Sequence, residues 1–434
     1  RHVTRRLLLA VRHGKVSYRQ LAETLVEQIG ELCPGCREEI EAALAEEIPL
    51  EDYRDAVAHA LEVETQLRRF QEDAEAAPEL LRVLRALSPE QRSLRIANSP
   101  RRFGNLALGE ALVDEARACL PGDPHGSLAW ARTLEAVAGA YPVPYEPHRI
   151  LALAYQGNAL RAAGDFEAGR RLLLRAQELL VEREVPDPDV TAELHSFLGS
   201  LETDLRRFEE ALEHLETAAS LYRTTGDAER LARVLMKLGL LHEMMEDLPS
   251  ALQMDKAALA LLSPDDDQAL HLAARLNYAN HLLEAGHPLR ARDVLDVELH
   301  LYESEADPHI RLRFDWLQAR LAGALGDPAG AERGLLAVRD ELGRQGQGFD
   351  AAIACLDLAA LYHEERRTED VERAAAQAVE LFQAHALHRE ALAALMLFLE
   401  AARARTVTEE TLRQVTRALH DAQRGPAARF EPSS

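Results

Sequence analysis

The chain has 434 residues, 47% of them hydrophobic, and a formal net charge of −23 at pH 7. This composition is that of a soluble protein large enough for more than one domain, and its charge disfavours broad binding to nucleic acid or anionic membranes. No apolar run approaches the ~18 residues of a membrane-spanning helix and no signal peptide is visible, so the sequence predicts a cytoplasmic protein.

Residues 1–49 form the first predicted module, which contains a pair of cysteines with metal-ligand spacing. Cys33 and Cys36 stand in CPGC at the start of a predicted helix. The string VEQIGELCPGCREEIEAAL resembles the end of the zinc-finger module of bacterial anti-sigma factors, but Ile29 occupies the place of that family's histidine. Because a zinc site needs four ligands, the preferred interpretation is a degenerate, metal-free helical module, with Cys33 and Cys36 as candidate zinc ligands.

A second interpretation of the same module is a helix-turn-helix that begins in GKVSYRQLAETL, with Ser17 as the helix cap. It makes the chain resemble peptide-responsive regulators that join a DNA-binding domain to helical repeats. The stretch expected to form the recognition helix carries Glu38, Glu39 and Glu41 instead, and these carboxylates repel phosphate. Nucleic acid is therefore an unfavoured partner.

Residues 50–141 are predicted to be a helical bridge or a set of divergent capping repeats. Ser88-Pro89-Glu90-Gln91 is a capping box with proline in the first turn, which predicts a helix start. Further helices are predicted over residues 103–119 and 127–141. Three prolines in YPVPYEPH, residues 141–148, forbid a continuous helix and mark a boundary.

Residues 147–388 carry a ladder of small residues with a period of about 40. A second ladder of mostly small residues follows 12 residues after each rung, and a ladder of mostly leucines lies four residues further on, with Asp255 as its polar exception. Small residues let two helices approach closely, so the period predicts six helix-turn-helix units. The rungs are Gly157, Gly199, Gly239, Ala279, Ala319 and Ala359.

Two segments, LALAYQGNALRAAGDFEAGRRLLLRAQELL and FLGSLETDLRRFEEALEHLETAASLY, resemble tetratricopeptide repeats in the long-helix form of bacterial signalling regulators. The resemblance implies an all-α fold, a right-handed superhelical array of antiparallel helix pairs (a tetratricopeptide-like solenoid) with a small N-terminal helical module. Residues 389–423 are predicted to be C-terminal capping helices, and residues 424–434 a disordered tail.

The resemblance also implies that the first helix of each unit lines a concave groove for a partner. The residues one after, three before and six before each rung are expected to point into that groove. Asn158 and Asn280 directly follow two rungs, and an amide both donates to and accepts from an extended peptide backbone. Arg313, Trp316 and Arg320 share a helical face that suits an acidic segment with an apolar anchor. The alternative is that Trp316 packs in the core and both arginines pair with glutamates. The predicted partner-binding residues are Asn158, Arg161, Arg233, Asn280, Arg313, Trp316 and Arg320.

Two short segments come close to known enzyme motifs, but each lacks a residue that its motif requires. Gly14-Lys15 has no upstream glycine to complete a phosphate-binding loop, and His242-Glu243 has no second histidine for a zinc protease. The prediction is a non-catalytic scaffold or adaptor that binds a protein or peptide in bacterial signalling or regulation. Two alternatives stay open: a peptide-responsive DNA-binding regulator, and an oligomeric structural scaffold built as a homo-oligomer.

Overall fold

The computed structural model describes residues 72–120, 122–142, 145–183, 185, 187–304, 307–385 and 389–424, and within these ranges every regular element is a helix. The predicted all-α fold is confirmed. The described residues divide into two compact units. The first comprises those up to Leu201 together with Glu213–Asp227, and the second comprises Glu202–Leu212 and those from Ala228 onward.

The first unit contains helices α1 to α7 and most of α8 and α9. Ser88 begins α2 with the predicted capping box, in which its side chain accepts from the Gln91 backbone N–H. The helix predicted over residues 127–141 instead begins at Pro124, because Asp123 caps it through the Gly126 backbone N–H. The helices are α1 (72–85), α2 (Pro89–Ala97), α3 (Pro100–Phe103), α4 (Leu106–Cys119), α5 (Pro124–Ala138), α6 (Glu146–Ala162), α7 (Phe166–Glu182), α8 (Pro188–Asp204) and α9 (Phe208–Thr225).

The second unit continues the helix pairs. Its apolar clusters are built from leucines and alanines of successive helices, with Phe314 and Tyr302 stacked in one cluster and Phe398 buried in another. The helices are α10 (Ala228–Met244), α11 (Leu248–Leu259), α12 (Gln268–Glu284), α13 (Pro288–Asp296), α14 (Leu299–Ser304), α15 (Pro308–Ala324), α16 (Pro328–Arg344), α17 (Gly348–Glu364), α18 (Thr368–His385), α19 (Arg389–Arg403) and α20 (Glu409–Arg424).

The 40-residue period reappears in the backbone as a residue in the left-handed conformation, which lies in the turn between the two helices of each helix pair. Glycine adopts this conformation freely, whereas a side chain there costs about 1 kcal/mol. Arg405 has the same geometry and lies 39 residues after Arg366, so α19 and α20 form a seventh helix pair. The six earlier turn residues, with φ from 58° to 87°, are Gly164, Arg206, Glu246, Gly286, Gly326 and Arg366.

The small rungs are buried where two helices touch. A Cβ atom on Gly157 would lie 2.8 Å from Leu173 Cγ and 2.9 Å from the Gly169 carbonyl oxygen, so α6 and α7 could not keep their separation with a larger residue there. At Gly239 in α10 the close neighbour is a side-chain atom, Asp255 Oδ1, at 2.7 Å from the same constructed position. The ladder in the sequence therefore marks the contact line of each helix pair.

Across the part of the chain that the structure describes, each helix is too short or too polar to cross a lipid bilayer.

Candidate partner-binding surface

The predicted partner-binding residues fall into both units. Asn158 and Arg161 belong to the first unit, and the other five belong to the second. Asn158 is only 2% exposed, and its Oδ1 accepts from Arg161 Nε at 2.7 Å. Arg233 is held by two carboxylates, Glu229 at 3.0 Å and Asp267 at 3.1 Å. Asn158 and Arg161 are thus bonded to each other, and Arg233 is bonded to nearby carboxylates.

In the second unit, three successive first helices are joined by side-chain hydrogen bonds. Arg313 Nη2 donates to Asn277 Oδ1 at 2.7 Å, and Arg320 Nη1, two turns further along α15, donates to Asn280 Oδ1 at 2.8 Å. Because residues three and seven apart share a helical face, these bonds form a row along one side of α12 and α15. We call the following residues the polar row: Asn277, Asn280 and Glu284 of α12, Arg313, Trp316 and Arg320 of α15, and Asp357 of α17.

Trp316 connects the polar row to the apolar core. Its ring is partly buried against the cluster formed by α17 and its neighbours, and its Nε1 donates to Asp357 Oδ2 at 2.6 Å. Arg320 also forms an ion pair with Glu284. These contacts favour the packing alternative for Trp316 and Arg320, whereas Arg313 is exposed and pairs with an amide rather than a glutamate.

The amides of the polar row keep hydrogen-bonding capacity. Each asparagine uses its Oδ1 to accept from an arginine, which fixes the orientation of the amide. The Nδ2 groups of Asn277 and Asn280 have no hydrogen-bond partner among the described residues, and each carries two N–H donors. The arrangement therefore presents amide donors from adjacent turns of one helix.

The charges of the row differ along its length. Arg313 is its exposed cation at one end. At the other end, Arg320 lies between Glu284 and the half-buried Asp357, whose carboxylate is 3.9 Å from Arg320 Nε. Burial raises the pKa of Asp357, and Arg320 and Trp316 oppose that rise. The surface is thus mixed in charge, which does not single out an acidic partner.

Asp255, the polar exception of the leucine ladder, forms a buried charged cluster. It is fully buried, and its Oδ2 is 2.5 Å from Nδ1 of His281, which follows Asn280 in α12. Glu243 lies 3.4 Å from the other ring nitrogen of His281. Burial alone would lower the pKa of His281, but hydrogen bonds to Asp255 and Glu243 outweigh burial and raise it to about 9. His281 is therefore a buried cation.

The first unit has a different buried polar cluster, centred on Glu193 of α8. Its two carboxylate oxygens accept from the hydroxyls of Tyr155 at 2.5 Å and Tyr222 at 2.7 Å. Arg117 Nε donates to the Tyr155 hydroxyl at 2.9 Å and is 3.8 Å from Glu193. Glu193, which the register assigns to the groove, is thus a buried acceptor that ties α6 and α9 to α8.

The first unit also contains a histidine pair. Nδ1 of His195 in α8 is 3.0 Å from Nδ1 of His214 in α9, and the two rings are tilted by 60°. Burial and the neighbouring imidazole lower the pKa of His195 to about 4, so this ring is neutral at pH 7. Two nitrogens at this distance share a proton as donor and acceptor.

Several members of these sites do not follow from the sequence pattern. Asn277, Glu284 and Asp357 lie at helix positions other than the three assigned to the groove, so the register alone does not select them. Asp255 is visible in the sequence as a polar residue in an apolar ladder. A search of the next helix pair for a histidine that could balance its charge would find His281. Burial of a carboxylate requires such a partner.

The candidate metal ligands Cys33 and Cys36, and the segment interpreted as a helix-turn-helix, lie outside the described residues. Within the ranges that are described, no group of three or more histidine, cysteine, aspartate or glutamate side chains is arranged to hold a metal ion.

Comparison with known proteins supports the repeat assignment. Residues 190–263 match the family model of the tetratricopeptide repeat. This segment is similar to tetratricopeptide repeats. It covers most of α8 and all of α9 to α11, which include the second of the two sequence segments that carried the resemblance. No curated protein sequence is significantly similar to the chain.

Solved structures show a similar fold over most of this chain. A Rap protein complexed with competence and sporulation factor is 13% identical, with a TM-score of 0.53 over 76% of this chain and 88% of the Rap chain. Aspartyl phosphate phosphatase F from Bacillus subtilis is 15% identical, with a TM-score of 0.51 over 80% of this chain and 88% of that chain. The predicted tetratricopeptide-like repeat array is confirmed, and at these identities the likeness concerns the fold.

Proposed function

We propose that this chain is a non-catalytic scaffold that binds an extended segment of another protein, or a peptide, along the polar row. The observation that carries the proposal is the pair of amides at Asn277 and Asn280, whose oxygens are held by arginines while their Nδ2 groups have no partner among the described residues. A donor held in this way binds a peptide carbonyl without selecting the side chain next to it.

The spacing of the amides suits an extended chain. Side chains three residues apart on a helix have Cβ atoms about 5–6 Å apart. Carbonyl groups two residues apart in an extended chain lie about 7 Å apart, since each residue advances the chain by about 3.3 Å. Flexible asparagine side chains bridge the difference, so adjacent turns of α12 can bind alternate carbonyls of one segment.

Charge adds selectivity to this backbone recognition. The exposed Arg313 favours a carboxylate near one end of the bound segment, and Glu284, 41% exposed, favours a cation toward the other end. The fold is compatible with such a role, because the Rap protein of similar fold is complexed with competence and sporulation factor. We therefore extend the proposal to a cytoplasmic role in bacterial signalling or regulation.

The test separates the amide donors from the rest of the surface. A random 12-residue peptide library displayed on phage is selected against the full chain, and the enriched peptides are measured by fluorescence polarisation. In Asn277→Asp/Asn280→Asp each side chain still accepts from its arginine but no longer donates. We expect this variant to fold normally and to bind the peptides at least 10-fold more weakly.

A matched control has the same charge change on second helices. Gln253 in α11 is exposed, and Gln377 in α18 accepts from Arg339 at 2.8 Å, as the two asparagines accept from their arginines. Gln253→Glu/Gln377→Glu should bind the peptides like the unaltered chain. Equal binding by the asparagine variant and this control would refute recognition along the polar row.

A further inference from the structure

Helix α20 is amphipathic, and its apolar face is completely covered. Leu412, Val415 and Leu419 are 6%, 2% and 0% exposed. Their spacing of three and seven residues places them on one side of the helix. Arg413 and Arg417, on the other side, are exposed. This helix therefore has the pattern of a segment that binds an apolar surface through aliphatic side chains.

The surface that covers α20 belongs to the first helices. α20 packs against α17 as well as against its own partner α19. Its apolar residues share one cluster with Ile353 and Leu356 of α17, which lie six and three residues before the rung Ala359. These are positions that the repeat register assigns to the partner surface. Trp316, a member of the polar row, packs against the same cluster.

A polar contact shows how far α20 reaches. Arg417 Nη2 donates to Glu246, the left-handed turn residue between α10 and α11, which lies 171 positions earlier in the chain. Both side chains are exposed, so the pair contributes little to stability. It does show that α20 contacts the turn of the third helix pair as well as α17 of the sixth.

We propose that α20 is an intramolecular ligand of the first-helix surface. It occupies the place where a partner's amphipathic helix, with aliphatic residues at positions i, i+3 and i+7, binds once α20 has moved away. The proposal rests on the proposed function, since it takes the first helices as the partner surface. It adds that this surface has an apolar section beside the polar row, and that the chain's own last described helix blocks it.

The connection between α19 and α20 makes this block strong. Only residues 404–408 separate the two helices. A short linker gives the tethered helix an effective concentration in the millimolar range. A free helix at micromolar concentration is therefore excluded while the apolar face of α20 is intact, and it gains access when that face is damaged.

In the experiment, α20 is added to the full chain as a separate peptide. The probe is a fluorescein-labelled peptide of residues 409–424. We expect it to bind Leu412→Asp/Val415→Asp at least 10-fold more tightly than the unaltered chain, because the altered α20 no longer competes. A peptide with the same two aspartates should bind neither protein. The control chain Glu409→Asp/Arg413→Asp, altered on the exposed side of α20, should exclude the probe as the unaltered chain does.

Hydrogen exchange of the unaltered chain is the second measurement. A helix that leaves as a unit exchanges its amides through local opening, so α20 should exchange at least 10-fold faster than α17 and α18. Equal protection of α20 and α17, or failure of the probe to bind the folded aspartate variant, would show that α20 is an integral part of the core. Either result would leave the polar row intact, because its test depends on Asn277 and Asn280.

Discussion

The two units each enclose a histidine between helices, but they give it opposite protonation states. His195 in the first unit faces another imidazole, and the pKa of its ring falls to about 4. His281 in the second unit faces two carboxylates, and the pKa of its ring rises to about 9. Burial disfavours the charged form in both places. The side chain on the neighbouring helix therefore decides the charge, and the units should respond to pH in opposite directions.

The largest expected effect comes from removing the cation of the second unit. His281→Leu leaves the buried Asp255 without its partner, and breaking a buried pair from one side costs about 3–5 kcal/mol. We expect the free energy of unfolding of the second unit to fall by this amount. The measurement compares the chemical denaturation of two proteins that both carry Trp130→Phe, one with His281 and one with His281→Leu. Trp316 is then the single tryptophan of the chain, and its fluorescence reports on the second unit.

The repeat pattern provides the control. Leucine occupies the place of Asp255 opposite the glycine rungs Gly157 and Gly199, as Leu173 and Leu215. His281→Leu/Asp255→Leu should therefore recover most of the lost stability, because an apolar pair of similar volume replaces the ionic one. A double variant as unstable as His281→Leu would mean that the pair itself is needed for folding.

The second prediction concerns alkaline solution and the second unit. His281 is protonated up to about pH 9 in the folded unit but only up to about pH 6.5 in the unfolded chain. Its contribution is complete below about pH 6.5 and is lost as the pH rises through about 9. At about 1.4 kcal/mol per pKa unit, the loss reaches about 3 kcal/mol. Denaturation of Trp130→Phe from pH 6 to 10 should show it, and the double leucine variant should not.

How far the sequence predicts these features depends on how they arise. The turns and contact lines repeat every 40 residues, so the period alone is enough to place Gly157, Gly326 and even Arg366 in the repeat. Each position is constrained by its own helix pair, and a period reveals such local constraints.

The polar contacts follow the period less closely. Asp255 pairs with a residue 26 positions away and Arg313 with one 36 positions away, and neither distance matches the period. Such bonds depend on how the side chains of different helix pairs approach one another. The register places Asn280, Arg313 and Arg320 on one surface of the second unit, as the structure does, but it does not predict their bonds to Asn277 and Glu284.

The third prediction concerns acid and the first unit. His195 stays neutral in the folded unit down to about pH 4, whereas the unfolded chain takes up a proton near pH 6.5. Its contribution is therefore complete above about pH 6.5 and is lost as the pH falls through this range, by about 2–3 kcal/mol. Denaturation of Trp316→Phe, in which Trp130 reports on the first unit, should show the loss between pH 7 and 4.

A leucine again supplies the control. The residues equivalent to His195 in the preceding and following helix pairs are Leu153 and Leu235, four positions before their rungs. His195→Leu should flatten the acid response of the first unit and leave the alkaline response of the second unchanged. An acid response that persists in this variant would assign it to other groups, such as the buried carboxylates.

The smallest effect tests the hydroxyls that hold Glu193. Tyr222→Phe removes one donor to this carboxylate and should lower the stability of the first unit by about 1.5–2 kcal/mol, the lower part of the range for a hydrogen bond to a charged group. A tyrosine hydroxyl ordinarily ionises near pH 10, so the loss should be the same at pH 6 and pH 8. The cost of losing His281 should differ between these pH values, because that ring is charged in the folded state and titrates in the unfolded chain. Buried carboxylates held by hydroxyls and by an imidazolium would thus be distinguished within one protein by pH alone.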